Sequence, residues 1–226
     1  IVPSIPDGLA HDRLPSVVLD DETYNDAEPW RGVHPWLGLR AAAVSASFLV
    51  ANRSALALDI DPEEFDVLEP RRYGAHDPRP LLSMTDHLVN GAGYCAWLAE
   101  SSGDGGAPRV AELIRSMLED ADQYPRTDFF DEAHVESCDT SCYRCLRRYG
   151  NQPFHGLLDW QLGLAFLRTL VSPTYVAGLD GKFGFPEISS WPMLARRLAR
   201  TMAERFGPSA VEGVGWAEFA GVPAFR

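Results

Sequence analysis

Three of the four cysteines in the chain lie within eight residues, in the spacing C-x3-C-x2-C formed by Cys138, Cys142 and Cys145. The fourth, Cys95, lies far upstream. Thiolates are preferred ligands of structural zinc, and such sites use cysteines separated by short spacers. The pattern predicts one structural Zn²⁺ per chain, closed to water, with Cys95 as the fourth ligand. His134 is the alternative fourth ligand.

Other uses of clustered cysteines must be weighed against zinc. Disulfides form in oxidising compartments, and the sequence shows no secretory signal. Free cysteines are often buried in protein cores, but three of them in so short a segment are unusual as unrelated core residues. An iron–sulfur cluster also takes four cysteines, and spacing excludes it poorly. Zinc is the favoured interpretation, and these alternatives stay open.

The bulk composition is that of an acidic globular protein. The chain has 226 residues, of which 46% are hydrophobic, and a net charge of −12. This length can bury one large core or two small ones. A negative field repels nucleic acid, so any contact with DNA or RNA needs a local basic patch or a partner. The longest apolar run, 41–51, is too short to span a bilayer, which predicts no membrane helix and a cytoplasmic location.

The predicted organisation has three parts. Residues 1–35 form an irregular lead-in rich in Pro, Gly and Asp, residues 36–171 form the metal-binding domain, and residues 172–226 form a helical extension packed on it. The predicted fold class is α+β and mainly α-helical, with a helical core, a short β-hairpin and a four-cysteine zinc knuckle.

The apolar periodicity places the individual elements. Two strand-like segments, 65–69 and 81–85, flank a turn-rich stretch and predict a hairpin. One or two short strands are predicted within 211–226. Helical patterns cover five segments, which are 36–58, 94–100, 110–123, 155–171 and the stretch from Ser190 to the stop signal Gly207-Pro208.

Two short motifs carry weak signals for nucleotide chemistry. Residues 90–93, Asn-Gly-Ala-Gly, could hold a phosphate at a helix start, but a tight turn is the simpler interpretation. Residues 131–134 spell Asp-Glu-Ala-His, as in helicase ATPases. That chemistry also needs a preceding buried strand and an upstream phosphate loop ending in Gly-Lys-Ser/Thr, and neither is found. The tetrapeptide is therefore predicted to be an acidic loop beside the metal site.

The cysteine cluster is interleaved with cationic and aromatic residues. Arginine pairs with phosphate and aromatic rings stack on bases, so these side chains are candidates for nucleic-acid contact. The candidates are Arg144, Arg147, Arg148 and Tyr143, with Tyr149 among them. The alternative is that the three arginines pair with the nearby carboxylates of Glu132, Glu136 and Asp139.

His155 and Asp159 are spaced by one helical turn and could face each other. As a general acid and base they would suggest a metal-dependent nuclease or hydrolase. Nuclease sites gather several carboxylates around Mg²⁺, however, and no compact carboxylate motif is seen. A helix-start interaction that supports the metal loop is the favoured interpretation, and no catalytic residue is assigned.

Two segments resemble a known family. They are 86–95, Asp-His-Leu-Val-Asn-Gly-Ala-Gly-Tyr-Cys, and 138–159, which begins Cys-Asp-Thr-Ser-Cys-Tyr-Arg-Cys and continues through Asn151-Gln152 to His155 and Asp159. Together they are similar to the MrfA-type zinc-binding (MZB) domain found C-terminal to DEAD/DEAH-box superfamily 2 helicases. The same domain occurs in DrmB, a component of DISARM-type antiphage systems. The resemblance covers about 36–171.

The resemblance implies a four-cysteine zinc site and a superfamily 2 helicase as partner, in the same polypeptide or as a separate subunit. Since ATPase motifs are lacking, the expected function is that of a non-catalytic accessory domain acting on DNA or RNA, in antiphage defence or DNA repair. A nuclease or hydrolase, and a purely structural scaffold of a defence complex, are the alternatives.

Overall fold

A computed structural model describes residues 35–74, 77–103, 106–206, 216–219 and 222–225. The chain divides into two compact units, one ending at Pro173 and the other beginning at Thr174. The predicted boundary between 171 and 172 lies two residues from this division. Residues 1–34 of the predicted lead-in lie outside the described residues.

The first unit is built on helix α1, Pro35–Leu58. Its sequence is apolar almost all round, and residues on several faces are buried, including Ala43, Ala46 and Leu49. By length and composition, Gly38–Leu58 could cross a membrane. The apolar run 41–51 that was considered from the sequence is shorter and could not. Because 67% of its apolar window is buried inside the protein, α1 has the surroundings of a core helix.

A β-hairpin follows α1. Strands β1, Phe65–Gly74, and β2, Asp77–Asp86, pair antiparallel, with Phe65 opposite Asp86 and Gly74 opposite Asp77. The predicted hairpin is confirmed, and both strands are longer than predicted. The base of the hairpin belongs to the core, because Leu82 is buried with residues of α1.

Four short helices connect the hairpin to the cysteine cluster: α2, Tyr94–Ala99; α3, Arg109–Glu119; α4, Arg126–Phe129; and α5, Glu132–Ser137. Helix α3 ends four residues before the predicted end, since its last turn is closed by Asp120, which is in an extended conformation. Helix α5 includes three residues of the tetrapeptide 131–134, which was predicted to be an acidic loop, and α4 lies where no element was predicted. The buried face of α3 contributes Ile114, Met117 and Leu118 to the core.

Helix α6, Trp160–Val171, begins five residues later than predicted. The residues before it form a 3₁₀ turn, Tyr149–Phe154. Asp159 ends the irregular segment because its carboxylate accepts hydrogen bonds from the first backbone N–H groups of α6. Helix α6 packs closely on α1 at Gly163, where an added Cβ would lie 2.8 Å from Leu49 Cδ1. Glycine at this position permits the close helix contact.

The second unit contains helix α7, Trp191–Phe206, which begins directly after the predicted cap Ser190 and ends before Gly207. Strands β3, Trp216–Phe219, and β4, Val222–Phe225, pair antiparallel. The fold class of the described residues is therefore α+β and mainly helical, as predicted.

Candidate metal centre

One group of potential metal ligands stands out among the described residues. The ligand atoms of His134, Cys138, Cys142 and Cys145 all lie within 4.8 Å of one another. His134, Cys138 and Cys145 are buried and Cys142 is half-buried. Three of the four predicted ligands are therefore brought together, and with His134 they could hold a metal ion.

The local structure explains how four ligands converge. His134 lies inside α5, and Cys138 follows the last residue of that helix. The chain then turns tightly, with the Cys145 N–H donating to the Cys142 carbonyl at 3.1 Å. The loop is fixed to the start of α6, because the Trp160 N–H donates to the Thr140 carbonyl at 3.0 Å.

The tautomer of His134 follows from its hydrogen bond. Its Nδ1 lies 2.9 Å from the Phe129 carbonyl oxygen, which can only accept, so Nδ1 carries the proton. Its Nε2 is buried and has no hydrogen-bond partner among the described residues. A buried, unpaired nitrogen costs about 1–3 kcal/mol. A metal ion would satisfy Nε2, and metal-bound histidines usually donate their other ring N–H to a carbonyl that orients the ring.

The sulfur geometry fits a single ion. Cys138 Sγ and Cys145 Sγ are 3.8 Å apart, and two sulfurs at tetrahedral angles around zinc, each about 2.3 Å from it, are about 3.8 Å apart. A disulfide would require about 2.05 Å, and all four cysteines are free thiols. Three thiolates with one imidazole form a donor set typical of closed structural zinc sites.

The surroundings of the cluster shift the pKa values of its thiols in different directions. Burial raises the pKa of the Cys138 thiol above its ordinary value, and the neighbouring Cys145 thiol adds to the rise. Burial acts in the same direction on Cys142, but a hydrogen bond from the Arg144 backbone and the two neighbouring thiols bring its pKa below the ordinary value. Three thiolates so close together repel one another, and a bound cation removes that repulsion.

Cys95 lies elsewhere, so the structure differs from the prediction at the fourth ligand. Its Sγ is 3.6 Å from the Met84 carbonyl oxygen, and it lines an apolar cavity of about 150 Å³ together with Leu82, Leu98 and Val110. Burial, followed by the nearby Asp86 carboxylate, raises the pKa of the Cys95 thiol to about 12. Its helix follows the hairpin and packs with a different group of core residues from the cluster.

The glycine loop at residues 90–93 is closed by a side chain of the protein itself. The Asp86 carboxylate accepts hydrogen bonds from the backbone N–H groups of Gly93, Tyr94 and Cys95 at 2.7, 3.1 and 2.8 Å. These amides begin α2 and are the groups that would bind a phosphate. Since Asp86 already occupies them, the tight-turn interpretation is supported over the phosphate loop.

His155 and Asp159 take separate structural roles. His155 Nε2 lies 3.0 Å from both the Arg148 carbonyl oxygen and Asn151 Oδ1. Asp159 caps α6, with its own N–H donating to Ser45 Oγ at 2.8 Å. The geometry supports the helix-start interpretation of these residues rather than an acid–base pair.

The candidate nucleic-acid residues divide into two groups. Tyr143 is 70% exposed and Tyr149 is 83% exposed. The Arg144 side chain is also exposed, and Asp131 lies 3.7 Å from its guanidinium. Arg147 and Arg148 are half-buried instead, and each donates to a neighbouring polar side chain. Their contribution to the surface is therefore smaller than predicted.

His134 is the candidate ligand that the spacing of the cysteines did not favour. The complete pattern is H-x3-C-x3-C-x2-C, in which four ligands lie within twelve residues. A local set closes more readily than one that needs a distant segment, and this was the signal available in the sequence.

The chain matches no protein-family model, no curated protein and no solved structure.

Proposed function

We propose that this chain is a non-catalytic, zinc-stabilised accessory domain that serves a superfamily 2 helicase on nucleic acid. The observation that carries the proposal is the closed group of His134, Cys138, Cys142 and Cys145. With all four tetrahedral positions taken by protein, a zinc ion would be structural rather than catalytic. When bound, it supplies a rigid cross-link between α5 and the loop before α6.

Two features favour zinc over an iron–sulfur cluster: the types of donor atom and the short distances between them. Iron–sulfur clusters are held mostly by four thiolates, whereas this group includes an imidazole. A cluster contains several metal atoms and needs ligands spread around them. The 3.8 Å between Cys138 Sγ and Cys145 Sγ suits ligands of one ion.

The helicase partner is proposed on the resemblance of residues 138–159 to MZB domains. The partner would be part of the same polypeptide or a separate subunit, working in the cytoplasm in antiphage defence or DNA repair. In this role the chain holds the parts of the motor in place and contributes to the path of the nucleic acid.

The direct contact with nucleic acid is proposed at the exposed rings beside the metal loop. Tyr143 rests edge-on against the His155 ring, with centroids 5.7 Å apart, so its orientation is restrained. An exposed aromatic ring on a rigid support suits stacking with an unpaired base. Arg144, also exposed, supplies a cation for the adjacent phosphate.

The partner is tested by affinity capture with the full chain as bait in nuclease-treated lysate of its own host. The expected result is capture of a protein with superfamily 2 helicase motifs, and loss of that capture with the Cys145→Ala variant. The proposal would be overturned if the folded chain captures no helicase from the lysate and its own polypeptide contains no helicase motifs. A captured helicase complex that fails to retain an added single-stranded oligonucleotide would support a scaffold role instead.

The base contact is tested with a paired variant, Tyr143→Ala with Tyr149→Ala. Loss of stacking costs about 1–3 kcal/mol per base, so the dissociation constant for a single-stranded oligonucleotide should rise about tenfold or more. Leu88→Ala with Val89→Ala removes exposed apolar side chains from another loop and serves as the matched control. Equal effects of the two double variants would contradict a specific role for the tyrosines.

A further inference from the structure

The imidazole of His155 uses only one of its two ring nitrogens within the protein. Its Nε2 lies 3.0 Å from the Arg148 carbonyl oxygen and 3.0 Å from Asn151 Oδ1. Because a carbonyl oxygen can only accept, Nε2 carries the proton of the neutral ring and Nδ1 is an acceptor. Among the described residues Nδ1 has no hydrogen-bond partner, and it is not one of the buried polar atoms that lack one. Nδ1 is therefore an unused acceptor that solvent can reach.

The ring is held in one orientation by a buried neighbour, Asn151, which is 3% exposed. The amide Nδ2 of Asn151 donates to the Leu146 carbonyl at 2.9 Å. Its Oδ1 accepts from the Arg148 N–H at 2.8 Å and from His155 Nε2. Since the groups that bind Nε2 are themselves fixed, the direction in which Nδ1 points is fixed too.

Tyr143, the exposed ring already proposed to stack with a base, lies directly against this imidazole. The two ring centroids are 5.7 Å apart and the planes are nearly perpendicular, at 84°. A base stacked on Tyr143 would therefore have the imidazole as its neighbour. Stacking tolerates any base, because every base has a π-face, whereas a hydrogen bond to the edge of the base distinguishes among them.

From this arrangement we propose that His155 selects the base that stacks on Tyr143, with Nδ1 accepting a hydrogen bond from an exocyclic amino group. Cytosine and adenine carry such a group, whereas thymine has a carbonyl oxygen where cytosine has its amino group, and so does uracil. Two acceptors cannot form a hydrogen bond with each other. The ligand class is single-stranded nucleic acid with unpaired, amino-bearing bases. The inference rests on the proposed base contact and adds a selection to it.

The first test compares oligo(dC) with oligo(dU) of equal length, bound to the full parent chain at about pH 8, where free imidazole is mostly neutral. The two bases have the same ring size and differ mainly in the group at C4. The net value of one hydrogen bond corresponds to about three- to tenfold in affinity, so oligo(dU) should bind more weakly by that factor. An oligonucleotide of N4,N4-dimethylcytosine, which has no amino proton, should bind like oligo(dU). Equal dissociation constants for oligo(dC) and oligo(dU) overturn the proposal.

The next test assigns the preference to this imidazole. His155→Phe keeps an aromatic ring but removes both nitrogens, so the ratio of the two dissociation constants should fall to about one. The matched control is His87→Phe, at an exposed histidine outside the metal loop and the 3₁₀ turn, and it should keep the parent ratio. Circular dichroism and zinc content show whether each variant is folded. An unchanged ratio in folded His155→Phe, or an equal loss in His87→Phe, contradicts the assignment.

The two exposed tyrosines separate selection from stacking. Tyr143→Ala should weaken binding and remove the ratio, whereas Tyr149→Ala should weaken binding and keep it. The reverse result would overturn the proposal. The measurements on the parent chain decide the matter even if His155→Phe does not fold. If the folded parent binds neither oligonucleotide, the proposed base contact fails and this inference fails with it. If it binds both equally, only this inference fails.

Discussion

The segment around Cys95 and the segment around Cys142 use the same residue type in opposite ways. Both are supported by α1, but Cys138 and Cys145 belong to the main group of buried core residues, whereas Cys95 borders a smaller one. The cluster brings three sulfurs and an imidazole together. Cys95 instead faces the Met84 carbonyl and an apolar cavity. Local chain geometry, more than the number of cysteines, decides which thiols form the candidate centre.

The largest expected difference between the two segments concerns metal content. Cys145→Ala should reduce zinc from one per chain to none, because three ligands no longer enclose the ion. Structural zinc binding is worth on the order of 10 kcal/mol, so the first unit should unfold at much lower urea. Cys95→Ala should retain one zinc. Elemental analysis and urea unfolding measure both effects, and loss of zinc from the Cys95 variant would reverse the assignment.

The fourth ligand gives the next largest effect. Loss of a hydrogen-bond partner that orients a metal ligand weakens metal binding roughly 10- to 100-fold, and His134→Gln should weaken zinc binding by more than that. His134→Cys should restore binding, because a thiolate can take the same tetrahedral position. Competition with a chromophoric chelator measures the affinities. Unaltered affinity in His134→Gln would mean that another group completes the centre.

A substitution in the contact between α1 and α6 tests whether the packing that supports both segments depends on the metal. Gly163→Ala places a methyl group 2.8 Å from Leu49 Cδ1 and 2.9 Å from Ser45 Cβ. Overpacking of this kind costs about 1–3 kcal/mol. The loss in the free energy of unfolding should be similar in the zinc-bound protein and in the chelated protein wherever the α1–α6 contact is still formed. Gly38→Ala, which meets nothing within 4 Å, is the control, and an equal loss there would contradict the packing argument.

The smallest expected effect concerns the two aspartates that cap the helices of these segments. Burial acts to raise the pKa of Asp86, but hydrogen bonds from the Cys95, Gly93 and Tyr94 backbones outweigh it, so the pKa is lowered. The stability that the Asp86 carboxylate contributes is therefore fully present at pH values above its ordinary pKa. It is lost as the pH falls through the lowered pKa of the folded state. Both oxygens of Asp86 accept hydrogen bonds, and asparagine keeps only one accepting oxygen. Asp86→Asn should therefore cost about 1 kcal/mol at pH 7 and less at pH 3.

Asp159 should show the opposite pH dependence. Burial raises its pKa despite hydrogen bonds from Leu162 and Gln161. The folded state then holds the proton more tightly, so this stability is present at low pH and is lost as pH rises through the raised pKa. Because Asn caps helices as well as Asp does, Asp159→Asn should be close to neutral at pH 7. Urea unfolding at several pH values separates the two, and parallel profiles would contradict the contrast.

Several elements were predictable because their signals are local. The unbroken apolar run of α1 and the turn residues between β1 and β2 each point to one structure. The start of α6 was not predictable from periodicity, because apolar residues at 157 and 158 continue the helical pattern outside the helix. The Asp159 cap and the 3₁₀ turn end that pattern physically. Because α6 begins at Trp160, Asp159 caps the helix, whereas His155 lies outside it and contacts Arg148 and Asn151 instead.

By itself, the sequence determined the local features of this protein: a mainly helical chain, one hairpin, and three cysteines close enough to share an ion. The tertiary structure decided that His134, and not the distant Cys95, joins them. It placed the Asp86 carboxylate on the amides of Gly93, Tyr94 and Cys95. It also held His134 through the Phe129 carbonyl, with Nε2 free of hydrogen-bond partners among the described residues. Spacing limits which groups can meet, but burial and hydrogen bonding select among them, and those depend on the whole packed unit.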